Sequence, residues 1–330
     1  MSIKIGIIGA TGIVGSEFIS LLEERKVSVA DLSLFASEKS DGREISFNGK
    51  SIRVEKLEKS KLEDFDYLFF CSSEEISKEF IPTAAANNIC CIDNSAAFRL
   101  RRDVPLVIPE INPHALENHR NIIANPNCST IIALMALFPL HQRFGLSGFC
   151  VATYQAVSGV GCAGIEALKQ DIIGNFALSQ DVFGEQILQN AIPKIGQFFP
   201  NGYSSEELKM SNESRKILSL RKLKISATCV RLPILRAHSM SIIARFKKPF
   251  DLGEAERALS TDEHIDYFPS SFPTPLRQAC KNNVAIGRLR KDTFLKNAAA
   301  MWVVGDQIRK GAALNAIQIM EHLAQAKWKG

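Results

Sequence analysis

The chain has 330 residues, of which 46% are hydrophobic and 23% are charged, as is ordinary for a soluble globular protein. This length exceeds the usual range for one hydrophobic core, so we expect about two domains. The formal net charge of +5 is small, and no basic run interleaved with aromatic residues favours nucleic-acid binding.

The first part of the chain alternates strand patterns with helix patterns. Buried strands are predicted at IKIGII, LSLFAS, DYLFFCSS and NICCIDNS, and helices at SEFISLLEER and IPTAAANN. This alternation, with strand runs that are apolar throughout, predicts a doubly wound parallel sheet that is buried on both faces. We place this first domain at residues 1–127.

The pattern changes after residue 130. Longer strands are predicted at GFCVATYQAVSG, KISATCVRLPI and SMSIIARFK, with a helix at GIEALKQDIIGN. The stretch QFFPNGYSSEELKMSNE is interpreted as a polar connection. Together these elements predict an α+β domain with a mixed sheet at residues 128–307. Apolar residues at helical spacing in the tail predict a C-terminal helix, 308–330, that returns to cover the first sheet.

The same sequence indicates a location and a redox state. The start, MSIKIGIIGATG, lacks the layout of a signal peptide, and runs such as IIALMALF are too short to span a bilayer. A cytoplasmic protein with no membrane partner is therefore predicted. The eight cysteines are expected to be reduced thiols. Because none forms a CxxC pair and no HExxH occurs, no metal site is expected.

A glycine turn, GATGIVG, joins the first strand to the first helix. Without side chains at Gly9 and Gly12 the backbone can approach a pyrophosphate, and the helix N-terminus offers N–H groups to that anion. The alternative is a tight turn with no ligand. After the second strand, Ser37 and Lys39 favour the 2′-phosphate of NADP, whereas Glu38 favours the 2′-hydroxyl of NAD. Lys39 is alternatively a solvated loop charge.

Cys128 stands between an Asn-Pro turn and a long apolar run that predicts a helix. At a helix N-terminus the dipole stabilises a thiolate, and the N–H groups with the Asn127 amide provide an oxyanion hole. This context leaves two interpretations open, a packed thiol and a nucleophile. Five other cysteines lie in strand-like apolar runs and are interpreted as core residues: Cys71, Cys90, Cys91, Cys150 and Cys229.

Three further polar residues are candidates for a site. His238 lies at a turn between two strand patterns, Arg231 lies inside an apolar strand, and Arg99 follows a strand where an open sheet places its ligands. A buried guanidinium needs an anionic partner, which suggests a bound anion. Structural salt bridges are the alternative for both arginines, and a satisfied structural role is the alternative for His238.

Seven segments occur in an order that resembles one family: GATGIVG, IDNSAAFR, NPNCST, TYQAVSG, EELKM with NESRKI, CVRLPILRAHS and GDQIRKGAA. The chain resembles the aspartate-semialdehyde dehydrogenases of the bacterial type from end to end. The resemblance implies a Rossmann-type domain, a domain for catalysis and dimerisation, and a homodimer or a dimer of dimers. Lys39, Ala96 and Ala237 depart from the family pattern.

The resemblance also implies roles for residues at matching positions. One group carries the acyl chemistry: Cys128 as nucleophile, His238 as acid/base, Asn127 beside the oxyanion and Gln155 as the group that positions the substrate. A second group binds the substrate: Arg231 at its carboxylate, Glu206 or Glu207 at its amino group, and Arg99 and Lys209 at its phosphate. A third group binds NADP: Gly9, Thr11, Gly12, Ile13, Val14, Ser37 and Lys39 at one end, and Ser158, Gly159 and Gln307 at the nicotinamide.

The implied reaction is the NADPH-dependent reductive dephosphorylation of L-aspartyl 4-phosphate to L-aspartate 4-semialdehyde. It is reversible, passes through a Cys128 thioester, and belongs to the biosynthesis of lysine and diaminopimelate, threonine and methionine. One rival hypothesis is a related acyl-phosphate or acyl-CoA reductase with another acyl group. The other is a non-catalytic NADP-binding homologue.

Overall fold

The structure is a computed structural model that describes residues 2–329, with the side chains of residues 2–325. The chain forms two compact units. Unit 1 consists of residues 1–127 and 312–330, and unit 2 of residues 128–311. The sequence analysis places the start of the C-terminal helix that returns to the first domain at residue 308, four positions before the boundary at residue 312. The last residue of that predicted helix, 330, lies outside the described residues.

In chain order the elements are β1 (Ile3–Ile8), α1 (Ile13–Glu24), β2 (Val29–Ala36), β3 (Glu44–Phe47), β4 (Lys50–Lys56), β5 (Tyr67–Phe70), α2 (Glu74–Ala86), β6 (Cys90–Asp93), β7 (Ile122–Ala124), α3 (Cys128–Phe144), β8 (Leu146–Gln155), α4 (Cys162–Ile172), α5 (Ala177–Phe183), α6 (Ser205–Ile217), β9 (Lys224–Arg231), β10 (His238–Phe246), α7 (Leu252–Ser260), β11 (Ile265–Phe268), α8 (Pro275–Gln278), β12 (Val284–Lys291), β13 (Ala298–Gly305) and α9 (Leu314–Lys329).

Unit 1 is built on a seven-stranded sheet with the order β3-β4-β2-β1-β5-β6-β7. All neighbouring strands are parallel except the β3–β4 pair, which is antiparallel. The apolar run of β5 is buried along its whole length, as expected for a strand covered on both faces. The predicted Rossmann-type parallel sheet is therefore confirmed.

The helix α9 contributes to the core of unit 1. Ile317, Ile319 and Met320 of α9 lie in the same buried cluster as Ile5 and Ile7 of β1. Full burial of one such side chain is worth about 1.5–3 kcal/mol. The last segment of the chain is therefore part of the first sheet's hydrophobic core. The observed helix begins at Leu314, after a π-helical turn at Arg309–Ala313.

The strands β3 and β4 were not predicted from the sequence. Most residues of β4 are exposed, and Val54 is its one buried residue. A strand with so little burial carries almost no apolar periodicity, so it looks like a charged loop.

Unit 2 is built on a six-stranded mixed sheet with the order β11-β12-β13-β10-β8-β9. The β8–β9 and β11–β12 pairs are parallel, and the other neighbouring pairs are antiparallel. The helix α3 packs on this sheet and is apolar on most of its faces, as expected for a buried helix. The predicted α+β domain with a mixed sheet is confirmed.

One sequence interpretation is wrong in unit 2. The stretch interpreted as a polar connection contains residues 205–213 of the helix α6. The side chain of Ser204 accepts from the backbone N–H of Glu207, and the Glu207 carboxylate accepts from the N–H of Ser204. This capping box stabilises a helix start where hydrophobic periodicity is weak.

The cysteines differ in part from the prediction. All eight lie within the described residues, and none forms a disulfide. Cys90, Cys91 and Cys229 are buried as predicted, but Cys150 is exposed. Side chains alternate along β8, and Cys150 lies on the face opposite to the buried Phe149 and Val151, which is why the core assignment of Cys150 is wrong.

Candidate active site

Cys128 is the first residue of α3, directly after the Asn-Pro turn. It is half-buried, and the backbone of Gly311 packs against it so closely that a Cβ at Gly311 would lie 2.9 Å from the Cys128 Cβ. Burial lowers the pKa of Arg231, and Cys128 is close enough for a charge on its sulfur to oppose that shift. The helix start thus places the thiol close to a buried cation in unit 2.

His238 is fully buried and is the first residue of β10. Its Nδ1 accepts a hydrogen bond of 3.1 Å from the backbone N–H of Ala156. The neutral ring therefore carries its proton on Nε2. Within the described part of the chain Nε2 has no hydrogen-bond partner, and it faces Gly159, where a Cβ would lie 3.4 Å away.

Arg231 is buried and is the last residue of β9. Its Nη1 donates to the carbonyl of Ala156 at 2.6 Å. Burial lowers the pKa of Arg231, and the charge of Glu206 opposes that shift. A Cβ at Gly159 would lie 2.7 Å from the Arg231 Nη1, so a side chain there would displace the guanidinium. Arg231 and His238 thus share Ala156 and Gly159 as neighbours.

Gln155 is buried at the end of β8. Its Nε2 lies 2.8 Å from the hydroxyl of Ser129, to which it donates, and 3.4 Å from Oε1 of Glu206. Ser129 follows Cys128 on α3, so the Gln155 amide connects the helix that carries the thiol with the carboxylate of α6. The sequence analysis missed Ser129, because a serine inside an apolar run gives no signal of its own.

The two neighbouring glutamates of α6 differ in their surroundings. Glu206 lies near Gln155 and pairs with Lys209 at 3.6 Å. Glu207 accepts hydrogen bonds from two backbone N–H groups, those of Ser204 at 2.7 Å and Cys229 at 3.0 Å. Glu206 is therefore the one of the pair whose carboxylate faces the proposed substrate-binding groups.

Ser158 and Gln307 bind each other. The Gln307 Nε2 donates to the Ser158 hydroxyl at 2.6 Å, and its Oε1 accepts from the N–H of Ala237 at 2.9 Å. Ser158 in turn donates to the carbonyl of Leu235. Ala237 adopts a φ of 69°, in the left-handed region that costs a residue with a Cβ roughly 1 kcal/mol or more. The Ser158–Gln307 pair thus holds the strained residue that directly precedes His238.

The glycine turn of unit 1 fits a dinucleotide phosphate. Gly9 has a φ of 85°, and a Cβ there would lie 2.4 Å from the Cys71 carbonyl, so the position needs glycine for the fold itself. At Gly12 a Cβ would meet only the Gly9 carbonyl, at 3.3 Å. Gly12 precedes the first residues of α1, Ile13 and Val14. The turn therefore leaves open space beside a helix N-terminus, where an anion is stabilised.

The end of β2 has more positive charge nearby than the local segment Ser37–Lys39 indicates, because Lys56 lies next to it. Ser37 precedes a single helical turn, Glu38–Ser40, and Lys39 is exposed on it. Glu38 pairs with Lys56 of the neighbouring strand β4 at 3.5 Å. Lys56 thus partly offsets the acidic residue that argued for NAD. The Thr11 hydroxyl donates to the Ser40 hydroxyl at 3.3 Å, which joins the glycine turn to the same helical turn.

Arg99 belongs to unit 1 and is buried. Its Nε donates to the carbonyl of Asn125 at 2.9 Å and its Nη2 to the carbonyl of Asn94 at 2.7 Å. Asn127 ends the same segment and is also buried.

Unit 2 itself brings together Cys128, Gln155, Glu206, Arg231 and His238. Among the residues that the structure describes, no cluster of His, Cys, Asp and Glu could hold a metal ion, and no helix is long and apolar enough to cross a bilayer.

Known proteins resemble this chain over its full length. The family described as semialdehyde dehydrogenase, NAD binding domain, matches residues 4–119, and the family described as semialdehyde dehydrogenase, dimerisation domain, matches residues 137–310. Aspartate-semialdehyde dehydrogenase 2 of Vibrio cholerae is 40% identical over 329 residues, 98% of each chain. Aspartate-semialdehyde dehydrogenase of Aquifex aeolicus is 41% identical over 336 residues, 98% of this chain and 99% of the relative.

A solved structure shares the fold. The crystal structure of aspartate semialdehyde dehydrogenase II complexed with ASA, from Vibrio cholerae, matches with a TM-score of 0.96 and 38% identity. The match covers 98% of this chain and 99% of the other.

We expect stability to depend on pH through His238. Burial, and then the charge of Arg231, lowers the pKa of His238 well below its usual range. A buried neutral imidazole stabilises the fold fully above the unfolded pKa of about 6.5, and this contribution is lost as the pH falls toward the folded pKa. Below about pH 6.5, the free energy of unfolding of the parent should fall, relative to that of His238→Gln, by up to about 1.4 kcal/mol per pH unit. Urea unfolding of both proteins at pH 7 and pH 5 measures this, and a constant difference would contradict it.

Proposed function

Because this chain belongs to the family of aspartate-semialdehyde dehydrogenases, we propose that it reduces L-aspartyl 4-phosphate to L-aspartate 4-semialdehyde with NADPH, reversibly. The observation that carries the proposal is the arrangement of Cys128, Arg231 and His238 in unit 2. A thiol at a helix start, a buried guanidinium and a buried imidazole are the groups that acyl transfer from an anionic substrate requires.

Cys128 is the nucleophile of this proposal. Its thiolate attacks the acyl carbon of aspartyl phosphate, a carbon–sulfur bond forms, and phosphate leaves with the electron pair of the broken carbon–oxygen bond. Arg99 and Lys209 are proposed to hold the leaving dianion. The N–H groups at the start of α3, with the Asn127 amide, stabilise the oxyanion at the acyl carbon. NADPH, if held by the proposed cofactor residues, would supply the hydride that reduces this carbon; loss of the Cys128 thiolate from the carbon would then release the semialdehyde.

His238 is the acid/base group, and Nε2 is the atom that acts, because the Ala156 N–H occupies Nδ1. In the neutral ring the Nε2–H donates a hydrogen bond to the oxyanion. Burial and Arg231 lower the pKa of His238, which favours this neutral form with Nδ1 as acceptor and Nε2–H as donor.

Substrate recognition is proposed for groups of unit 2. The planar guanidinium of Arg231 binds the substrate carboxylate, Glu206 binds the amino group, and Gln155 positions the acyl group between them. A positive and a negative group in one buried site suit an amino-dicarboxylate. The rivals, a reductase for another acyl group and a non-catalytic homologue, are not favoured, because relatives about 40% identical over the whole chain carry the name of this activity.

NADP is the proposed cofactor. Open space at Gly12, the helix start that follows it, and Lys39 with Lys56 beside the end of β2 support binding of a phosphorylated dinucleotide. The proposed contacts are Gly9, Thr11, Gly12, Ile13, Val14, Ser37 and Lys39 in unit 1, and Ser158, Gly159 and Gln307 in unit 2. Because Ser158 and Gln307 already bind protein groups, we propose that they act mainly by shaping the nicotinamide site.

The cellular setting follows from the same assignment. We propose a cytoplasmic homodimer, or a dimer of dimers, that serves the biosynthesis of lysine and diaminopimelate, threonine and methionine. The matched dimerisation domain supports the assembly, and eight cysteines without a disulfide suit a reducing compartment.

Cys128 should react first among the eight thiols, although it is half-buried and therefore less accessible than three exposed cysteines, Cys150, Cys162 and Cys280. The helix N-terminus stabilises its thiolate, and reactivity follows the thiolate. Brief alkylation followed by peptide mapping should label Cys128 in parallel with the loss of activity. Cys128→Ser should abolish turnover and retain NADP binding. Full inactivation with Cys128 unlabelled would disprove its role.

Arg231→Lys should lower kcat/KM for aspartate semialdehyde at least ~10-fold, the ratio for about 1.4 kcal/mol. Lysine keeps the charge but loses the planar fork that binds a carboxylate through two hydrogen bonds. NADP affinity and melting temperature should stay close to the parent values. Arg245→Lys, at an exposed arginine of β10, is the matched control. If kcat/KM falls together with NADP affinity and melting temperature, the proposed role of Arg231 in binding the substrate carboxylate is refuted.

Lys39→Ala should raise the Kd for NADP by a factor on the order of 10 and leave the Kd for NAD nearly unchanged, because only NADP carries the 2′-phosphate. Lys50→Ala, at an exposed lysine of β4, is the control for general charge. Titration of both cofactors against each variant tests the assignment. Equal weakening of NAD and NADP would remove Lys39 from the phosphate site.

A further inference from the structure

We infer that Glu207 is a positioning residue that sets the spacing between Glu206 and Arg231, an inference that rests on the proposed roles of those two side chains. The sequence leaves Glu207 as an alternative ligand of the substrate amino group. The structure gives its carboxylate a different task, because both oxygens accept hydrogen bonds from backbone N–H groups.

The carboxylate of Glu207 joins two elements. Its Oε2 accepts from the N–H of Ser204 at 2.7 Å, at the start of α6. Its Oε1 accepts from the N–H of Cys229 at 3.0 Å, within β9. The side chain is buried, so water does not compete for these contacts. Hydrogen bonds to an ionised carboxylate are also stronger than those between neutral groups. One carboxylate therefore ties the start of the helix to the strand.

The strand needs this acceptor because β9 is the last strand of the sheet: β8 pairs with one side, and on the other side Arg231 forms an isolated bridge with Ile192. In a paired strand, successive N–H groups point alternately to the two sides, so the N–H groups of Cys229 and Arg231 both point away from β8. The N–H of Arg231 donates to the carbonyl of Ile192 at 2.8 Å, and Glu207 accepts from Cys229. Glu207 thus satisfies the outward N–H of Cys229, which lies two positions before Arg231, the proposed binding group for the substrate carboxylate.

The position of Glu207 couples it to both recognition groups. It directly follows Glu206 on α6, and it holds β9 two residues before Arg231, about 6.6 Å along the strand at about 3.3 Å per residue. A shift of the helix against the strand would move the carboxylate of Glu206 relative to the Arg231 guanidinium. These groups would then no longer match the amino and carboxylate groups of one substrate.

Helix capping alone does not account for Glu207. A capping box requires its contact with Ser204, but the contact with Cys229 lies outside the helix, 22 positions along the chain. Of these two contacts, it is the one with Cys229 that joins the helix to the strand. The capping role can be tested apart from the carboxylate, because Ser204→Ala removes the hydroxyl of the cap and retains both contacts of the Glu207 carboxylate.

The experiment compares Glu207→Gln with Ser204→Ala in the full-length protein. Glutamine has nearly the same shape but one acceptor oxygen, so it cannot accept from both N–H groups. We expect Glu207→Gln to raise KM for aspartate semialdehyde and to lower kcat/KM at least ~10-fold, while KM for NADP stays unchanged. Amide hydrogen exchange at Ser204 or Cys229 should become faster. Ser204→Ala should keep the parent kinetics for both substrates.

The results separate this inference from the proposed function. A parent protein that does not turn over aspartate semialdehyde with phosphate and NADP contradicts the proposed function. If the parent is active and Glu207→Gln has the kinetics of Ser204→Ala, the positioning role is overturned. An equal loss of kcat/KM for both substrates with a lower melting temperature also overturns it, because that outcome is general destabilisation. Selective loss for aspartate semialdehyde supports it.

Discussion

The candidate site depends on the backbone of one buried residue, Ala156. Its N–H donates to the ring of His238, and its carbonyl accepts from the guanidinium of Arg231. An unsatisfied buried polar group costs about 1–3 kcal/mol, so neither side chain can leave its partner cheaply. Because both partners are main-chain atoms of one residue, the end of β8 fixes the imidazole and the guanidinium relative to each other.

This arrangement places two basic groups side by side in a buried site, and two neighbouring cations would repel each other. The fold resolves the conflict by keeping the imidazole neutral, since burial and Arg231 lower the pKa of His238. Arg231 then carries the positive charge, while His238 stays neutral with its proton on Nε2. The strained backbone at Ala237, held by Gln307, directs the chain into β10 at the required place.

Local signals predict much of the fold and part of the site. The central strands of unit 1 are apolar runs buried on both faces, and Cys128 follows a turn signal and precedes a long apolar run. The contacts that complete the site are not local, since the hydrogen bond from Gln155 to Ser129 spans 26 positions. Sequence analysis misses α6 because the helix is polar, although Ser204 and Glu207 form a recognisable capping pattern.

The discontinuous composition of unit 1 has a consequence for biosynthesis. Its core needs Ile317, Ile319 and Met320 of α9, yet residues 128–311 lie between the two segments of this unit. At about 5–20 residues per second, translation of that insertion takes roughly 10–40 s. During this interval the nascent sheet exposes the apolar face that α9 will cover, while unit 2 is synthesised without interruption. The first unit to emerge from the ribosome is therefore the last to be completed, and its exposed face is the surface that chaperones would meet.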